Sequence, residues 1–384
     1  MVGHKFQIPK EYQTQLRYVE SKDTRTEGEI LESLEKYAPI TSEKNIWTYW
    51  HAGVRNMPSW TKRNMINWVR LHGPDWTVCV LNSVPGSPNH ALNWITAEEL
   101  PESFVEGTMT GPDVGQHSTD VLRGAALYAY GGVWMDVGCI LFRYLDSVCW
   151  NKLADEESLY TIATPLLFAQ YMANHFVASR KSGRANCIVL LESPLTAFMA
   201  SGSFGSASDA GYHWDFKVDE RTALAYVGQV VAWIRLTRLQ EPNGGFDSVN
   251  YWATKVLVWP SLKENWPAQN AIGFDGADLF KVLTTSLDAD PASEEYQTAH
   301  KVAWQMLAQG MMQKITHGKG LTHAIHCGTL FDMPENEGKD AEPGTFAELL
   351  RFGSVHFEQT GDMGYMDAPM VDSELIIRKG SLEA

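Results

Sequence analysis

The sequence contains little cysteine, no long apolar run and no recognisable export signal. Its 384 residues include five cysteines, which are scattered and form no C-x-x-C pair. That pattern indicates neither a disulfide framework nor a cysteine-based zinc site. No run approaches the roughly 18 apolar residues that a membrane span requires, and the first residues lack the apolar segment of a signal peptide. We therefore expect a soluble, cytoplasmic protein without a membrane partner.

Positive charge is also scarce. Lys and Arg number 31 against 46 Asp and Glu, which gives a formal net charge of -15. Broad binding of nucleic acid needs clustered basic residues that neutralise phosphates, so no DNA partner is expected, although a local basic pocket is compatible with this balance. Hydrophobic residues make up 44% of the chain and indicate a globular protein with a substantial core.

The order of predicted elements indicates an α/β fold. Strand, helix and strand follow one another in the first third of the chain, which is the β-α-β signature of a parallel sheet. The pattern predicts strands at 45–50, 76–81, 133–142, 159–164 and 174–179, and helices at 60–72 and from about Ser118 or Thr119 to 130. On this interpretation the doubly wound part is complete by about residue 180.

The C-terminal half is expected to be more helical. Long amphipathic patterns occupy 218–240 and 292–315. We predict a Rossmann-type mixed sheet flanked by helices, in three regions: an N-terminal helical extension (1–44), an α/β core (45–199), and a helical, loop-rich region that completes the same domain (200–384).

One segment carries most of the chemistry. Asp120 and Arg123 are three residues apart and share one face of a predicted helix. Gly131 and Gly132 then permit a sharp turn into a strand that ends on Asp136. Ligands of open α/β sheets gather at the carboxyl ends of strands. A ligand site and a plain intrahelical salt bridge both fit the Asp120 and Arg123 pair at this stage.

This segment resembles the core of the capsular-polysaccharide-synthesis-like glycosyltransferases, which are related to mannosyltransferases with a D-x-D sugar-binding motif. The matching residues are Thr119, Asp120, Arg123, Leu127, Gly131, Gly132, Trp134 and Asp136. The resemblance extends to residues 46–53 and 174–179, so that residues 45–180 are covered well and the remainder poorly.

The resemblance implies a GT-A fold that binds a nucleotide-sugar, with a divalent cation, Mn²⁺ or Mg²⁺, at the diphosphate. Asp136 would hold that cation, since hard cations prefer oxygen ligands. Asp120 and Arg123 would hold sugar hydroxyls and a phosphate, and with Asp136 they would be the catalytic residues. By the same resemblance the donor-binding residues would be Trp47 near the base, Asp120, Arg123, Gly131, Gly132 and Trp134.

The motif at Asp136 lacks the second carboxylate of a full D-x-D, so another metal ligand would have to come from elsewhere. His356 is our candidate, because GT-A enzymes often supply a late histidine. A competing interpretation is that His356 is a packed strand residue. His323 and His326 form an H-x-x-H pair that could bind a metal instead.

Two functions from different classes follow from the resemblance. The first is transfer of a sugar from a nucleotide-sugar donor to a small-molecule or glycan acceptor, in secondary metabolism. The second is a tRNA-dependent, arginine-containing cyclodipeptide synthase built on the same scaffold, as in some fungal proteins of this group. The acidic balance disfavours tRNA unless a local patch near Arg235 and Arg238 compensates. A catalytically inactive binding module is a third interpretation.

Overall fold

The computed structural model describes residues 5–111, 114–181, 228–316 and 324–378. Its strands are β1 (Leu16–Tyr18), β2 (Asn45–Tyr49), β3 (Thr77–Leu81), β4 (Gly132–Met135), β5 (Cys139–Leu141), β6 (Ile162–Leu167), β7 (Tyr171–Met172), β8 (Phe176–Ser179), β9 (Val256–Pro260), β10 (Met312–Lys314) and β11 (Phe357–Gln359).

Helices surround these strands and dominate the described part of the C-terminal half. They are α1 (Glu27–Leu34), α2 (Ser59–His72), α3 (Glu102–Val105), α4 (Val114–Tyr130), α5 (Asn151–Ala154), α6 (Gly228–Thr237), α7 (Ser248–Lys255), α8 (Ser261–Glu264), α9 (Pro267–Ile272), α10 (Gly276–Thr284), α11 (Glu294–Gln309), α12 (Cys327–Phe331) and α13 (Phe346–His356).

A seven-stranded mixed sheet forms the centre of the described fold, in the order β3-β2-β4-β8-β6-β7, with β9 also paired to β6. β2 is parallel to both β3 and β4, which confirms the predicted β-α-β unit. β8 is antiparallel to β4 and β6, and β9 is parallel to β6. The α/β class with a mixed sheet is confirmed. The sheet is not complete by residue 180, because β9 comes from the C-terminal half.

Both faces of the sheet are covered by apolar packing. Trp47 and Trp134 belong to the core on one face, while Ile46 and Val133 belong to the core on the other. β2 and β4 are buried along their whole length, which explains why their sequences read as continuous apolar runs. Within the described residues, no helix combines the length and the apolar character that a bilayer crossing requires.

The turn from α4 into β4 depends on two glycines. Gly131 and Gly132 adopt positive φ angles of 69° and 106°, which L side chains rarely adopt. A Cβ atom on Gly132 would lie 2.5 Å from the carbonyl oxygen of Asn45, so any side chain would push β4 away from β2. The turn therefore fixes β4, and Asp136 comes directly after the carboxyl end of that strand.

The predicted strand at 133–142 is wrong as a single element. Residues 136–138 interrupt it, and its second part, β5, pairs antiparallel with β10 in a separate two-stranded sheet. The predicted helix start is also wrong, since Ser118 and Thr119 lie inside α4 and the Thr119 hydroxyl donates to the carbonyl of Gly115 at 2.8 Å.

The predicted helix at 292–315 ends early. α11 stops at Gln309, Gly310 takes an extended conformation (φ −84°, ψ 145°), and β10 follows. Met311, Met312 and Ile315, in and beside β10, are apolar, which is why the helical pattern extended over it. Of the other predicted C-terminal helix, α6 is the described part, and the portion before residue 228 lies outside the described residues.

Candidate active site

A cleft of about 630 Å³ opens at the carboxyl ends of β2 and β4. This volume lies within the range of about 300–1,000 Å³ that is usual for small-molecule sites. Its described lining residues are Thr48, Tyr49, Trp50, His51, Trp60, Thr61, Gly111, Val114, Gly115, Gln116, Thr119, Asp120, Arg123, Asp136, Val137, Gly138, Asn174, Lys314, Thr316 and Asp332. The three predicted catalytic residues are all among them.

Asp120, Arg123 and Asp136 meet at the inner end of this cleft. A terminal nitrogen of Arg123 lies 2.6 Å from Oδ1 of Asp120, and the other lies 3.3 Å from Oδ1 of Asp136. The Arg123 and Asp120 side chains are only 3% and 7% exposed, whereas Asp136 is 27% exposed. The salt bridge and the ligand-site interpretations of Asp120 and Arg123 are therefore compatible, because the pair is buried beneath a carboxylate that faces the cleft.

Two amides hold the buried pair in place. The side-chain amide of Asn174 donates to Oδ1 of Asp120 at 3.1 Å and to Oε1 of Gln229 at 3.2 Å. The Gln229 amide donates to the backbone carbonyl of Asp120 at 3.0 Å, and its Oε1 accepts from Arg123. Gln229 lies on α6, so the C-terminal half helps to orient the predicted catalytic residues. Sequence analysis missed its role, and the sequence offers no motif that marks it.

Lys314 is a second residue that sequence analysis missed. Its Nζ lies 2.9 Å from Oδ2 of Asp136, and its side chain is 10% exposed. β10 carries it there by pairing with β5, with Lys314 opposite Cys139. Residues from opposite halves of the chain thus meet at one carboxylate.

The charges around Asp136 determine its protonation state. Burial alone would raise its pKa, but Lys314 and Arg123 outweigh that effect and lower the pKa to about 2. The pKa of Asp120 is raised by burial, which Arg123 opposes. Burial and the charge of Lys314 hold the pKa of His175 well below its usual value. At neutral pH the cleft therefore presents an ionised Asp136, while the buried His175 behind it is neutral.

Both predicted donor-site tryptophans are buried. Trp134 contacts the site, because its Nε1 lies 3.4 Å from Oδ1 of Asp136 and the Arg123 guanidinium lies 5.5 Å from its ring centroid. Trp47 does not line the cleft: it packs against Trp94 and Tyr130 inside the core. Tyr49 lies on the same face of β2 and lines the cleft, but Trp47 is two residues further from the carboxyl end of the strand, and its Nε1 donates to the carbonyl of Gly131 at 2.9 Å. The described cleft therefore does not include Trp47, which was predicted to lie near a bound base.

Gly131 and Gly132 do not line the cleft either. They lie at the amino end of β4, whereas Asp136 follows the carboxyl end of the same strand. A Cβ atom on Gly131 would lie 2.7 Å from the backbone nitrogen of Lys181 and 2.9 Å from Oε2 of Glu43, so the space around this turn is filled by neighbouring chain and not by the cleft. Their predicted contact with a donor is therefore wrong, and their role is to shape the turn that aligns β4 with β2.

His356 is not brought to Asp136. It is the last residue of α13, its Nδ1 lies 3.2 Å from the carbonyl oxygen of Val19, and its ring lies 4.5 Å from that of Phe352. It lines a different, smaller cavity of about 380 Å³. The prediction that it shares a metal with Asp136 is wrong, because α13 directs it away from the cleft. His323 lies outside the described residues, so the H-x-x-H prediction stays a prediction.

The described donor set does not fit the predicted divalent cation. No group of three His, Cys, Asp or Glu side chains gathers anywhere within the described ranges. Mg²⁺ and Mn²⁺ prefer several oxygen ligands. At Asp136 each carboxylate oxygen instead lies beside a protein cation, Lys314 on one side and Arg123 on the other.

Comparisons with known proteins show that the chain is similar to members of one family. Residues 5–184 match the family model described as capsular polysaccharide synthesis protein. The chain is 45% identical to the probable glycosyltransferase FCK3 of Fusarium pseudograminearum, over 98% of this chain and 99% of that protein. It is 33% identical to the O-glycosyltransferase braB of Annulohypoxylon truncatum (94% and 91%) and to the glycosyltransferase afumC of Aspergillus fumigatus (91% and 95%). No solved structure gives a significant match.

Proposed function

Because the chain belongs to the capsular-polysaccharide-synthesis-like group of glycosyltransferases, we propose that its cleft transfers a sugar from a nucleotide-sugar donor to a hydroxyl of a small-molecule acceptor. The transferase class rests on relatives that are 33–45% identical over at least 91% of the chain. One of them is named an O-glycosyltransferase, which supports an oxygen nucleophile. The proposal includes a glycan as the alternative acceptor, and it places the reaction in secondary metabolism.

The observation that carries this proposal is the convergence of Asp120, Arg123 and Asp136 at the carboxyl ends of β2 and β4. Guanidinium groups bind phosphate oxygens through a planar fork, and carboxylates accept hydrogen bonds from sugar hydroxyls. Asn174 and Gln229 fix the Asp120 carboxylate and the Arg123 guanidinium before any ligand arrives. The site is therefore preorganised, which is how fixed charges stabilise a leaving group most effectively.

The C-terminal half contributes Lys314, Thr316 and Asp332 to the described lining of the cleft, and Asp332 suits an acceptor. Asp332 follows α12, and the indole N–H of Trp60 donates to its Oδ1 at 2.8 Å. The ring of Trp60 reaches to within 3.7 Å of a Cβ built on Gly138, two residues beyond Asp136. One indole therefore links Asp332 to the donor side. We propose that Asp332 accepts a hydrogen bond from the acceptor hydroxyl.

The cleft volume supports an acceptor of small-molecule size. The described lining encloses about 630 Å³, a space that has to hold the sugar-diphosphate part of a donor as well as the acceptor. The tRNA-dependent alternative would need a local basic patch, and Arg235, one of the two residues considered for it, is only 3% exposed.

The test is to incubate the purified protein with a panel of nucleotide-sugars and of alcohols and phenols, and to measure release of nucleoside diphosphate. A parallel incubation contains arginyl-tRNA and amino acids and is analysed for a diketopiperazine. We expect nucleoside diphosphate release with at least one donor and formation of a glycosylated product. A diketopiperazine without sugar transfer would overturn the proposal. Nucleotide binding without any turnover would favour the inactive binding module.

A further inference from the structure

Two positively charged side chains contact the carboxylate that, by the family resemblance, would bind a metal. Oδ2 of Asp136 lies 2.9 Å from Nζ of Lys314, and Oδ1 lies 3.3 Å from a terminal nitrogen of Arg123. Oδ1 also faces Nε1 of Trp134 at 3.4 Å. Both oxygens that could ligate a metal therefore have an N–H donor at or near contact distance.

The sheet itself places Lys314. Its backbone N–H donates to the carbonyl of Asn265 at 2.9 Å, and the N–H of the next residue, Ile315, donates to the carbonyl of Gly138 at 2.9 Å. Antiparallel pairing with β5 fixes the register, and a one-residue slip would turn the side chain to the other face. The ammonium is thus a built part of the cleft rather than the end of a mobile surface side chain.

Among the described side chains that pair with one another around Asp136, the formal charges balance. Asp120 and Asp136 contribute two negative charges, and Arg123 and Lys314 contribute two positive charges. In a site made of carboxylates alone, a divalent cation has to remove the negative charge before a diphosphate can approach. A divalent cation brought to Asp136 would meet strong repulsion from an ammonium at contact distance.

We infer that Lys314, together with Arg123, takes the place of a divalent cation at the donor diphosphate. Nucleoside diphosphates would then bind without metal. This inference rests on the proposed function. A lysine ammonium is a compact point charge with three N–H donors, which suits phosphate oxygens. When it turns from Asp136 towards a phosphate, the carboxylate keeps its contacts with Arg123 and Trp134.

The test is isothermal titration calorimetry of the full chain with ADP, CDP, GDP, UDP and dTDP, once in EDTA and once with Mn²⁺ or Mg²⁺. We expect at least one diphosphate to bind with dissociation constants that agree within about threefold between the buffers. Lys314→Met should raise the dissociation constant in EDTA by about 10- to 100-fold, because a charged hydrogen bond is lost. Lys314→Arg keeps the charge and should restore most of the affinity.

Lys44→Met is the matched control. The Nζ of Lys44 lies 2.6 Å from Oδ1 of Asp146, a similar ion pair, but Lys44 precedes the amino end of β2 and does not line the cleft. Its removal should leave the dissociation constant unchanged.

Each outcome decides either the inference or the proposed function. Wild-type binding that requires Mn²⁺ or Mg²⁺, or a Lys314→Met variant that binds as tightly as the wild type in EDTA, would overturn the inference and leave the donor assignment intact. Failure of all five diphosphates to bind in either buffer would contradict the proposed function itself. The wild-type metal dependence decides the inference even if Lys314→Met does not fold, which circular dichroism would show.

Discussion

Asp136 and Asp146 lie ten residues apart in very similar surroundings. Each carboxylate accepts hydrogen bonds from one lysine ammonium and one tryptophan indole. The donors are Lys314 and Trp134 at 2.9 and 3.4 Å for Asp136, and Lys44 and Trp76 at 2.6 and 2.9 Å for Asp146. Their side chains are 27% and 23% exposed. Their lysine and tryptophan contacts therefore do not distinguish the proposed catalytic carboxylate from one that lies away from the cleft.

The difference lies in position and in one further cation. Asp136 follows the carboxyl end of β4, lines the cleft and also contacts Arg123. Asp146 begins a π-helical turn after β5, and its lysine precedes the amino end of β2. Because open α/β sheets bind ligands at the carboxyl ends of their strands, a ligand is expected beside Asp136 and not beside Asp146.

Removing the charge of Arg123 should have the largest effect, and this effect is on the free energy of unfolding. Arg123→Met leaves the Asp120 carboxylate, which is 7% exposed, without its counter-charge. We expect the free energy of unfolding to fall by about 3–5 kcal/mol, as when one partner of a buried ion pair is lost. Urea unfolding followed by circular dichroism measures this. Lys44→Met removes a more exposed pair at Asp146 and should cost about 1 kcal/mol or less. Equal losses in the two variants would contradict the interpretation.

Exchanging the two carboxylates for amides should separate their roles. Asp136→Asn should lower the rate of nucleoside diphosphate release by about 100-fold, because the group that orients Lys314 and Arg123 loses its charge. Asp146→Asn should change that rate by less than about twofold, since Asp146 does not line the cleft. The assay uses saturating donor and protein whose thermal unfolding has been checked. A similar loss of rate in both variants would remove the distinction.

Local sequence patterns were sufficient to predict one wall of this site. Helical spacing placed Asp120 and Arg123 on one face, and the glycine turn placed Asp136 at a strand end; the structure brings all three together. The same patterns gave the parallel unit of β2, α2 and β3. These predictions succeeded because each depends on residues close in the chain and on geometry that a short segment imposes by itself.

The contribution of the C-terminal half could not be predicted, because it depends on contacts between distant parts of the chain. Lys314 reaches Asp136 only through the pairing of β10 with β5, and the apolar Met311, Met312 and Ile315 in and beside β10 continue the amphipathic pattern of α11. Gln229 and Asp332 carry no motif. His356 was predicted from its late position in the chain, and sequence position does not determine the direction of α13. Trp47 was assigned from resemblance, and it lies in the middle of a buried strand, two residues before Tyr49, which does line the cleft.

Asp332→Asn should separate acceptor binding from donor cleavage. The variant keeps the shape of the side chain that Trp60 contacts but weakens acceptance of a hydroxyl hydrogen bond. We expect the KM for the acceptor alcohol or phenol to rise about tenfold, while the slow hydrolysis of the donor in the absence of acceptor stays unchanged. Glu337→Gln is the control, since Glu337 accepts from Ser59, beside Trp60, but does not line the cleft. An equal decrease of hydrolysis and transfer in Asp332→Asn would contradict the acceptor role.

The smallest effect concerns acid stability, in which the two aspartates should behave alike. Burial raises the pKa of Asp136, but Lys314 and Arg123 outweigh it and hold the pKa at about 2, below its ordinary value of 3.8. The pKa of Asp146 is also lowered, since its bonds to Lys44 and Trp76 outweigh burial.

A lowered carboxyl pKa stabilises the fold above the unfolded value, and this contribution is lost as the pH falls towards the folded value. The difference in unfolding free energy between the wild type and Asp136→Asn should therefore shrink by about 1 kcal/mol between pH 5 and pH 3. Asp146→Asn should show a change of the same sign in urea titrations at each pH. A difference that grows as the pH falls would contradict the ion pairing. The same acid dependence in both variants, with loss of turnover in Asp136→Asn alone, would show that an ion pair by itself is not sufficient for function and that the position of Asp136 in the cleft is required.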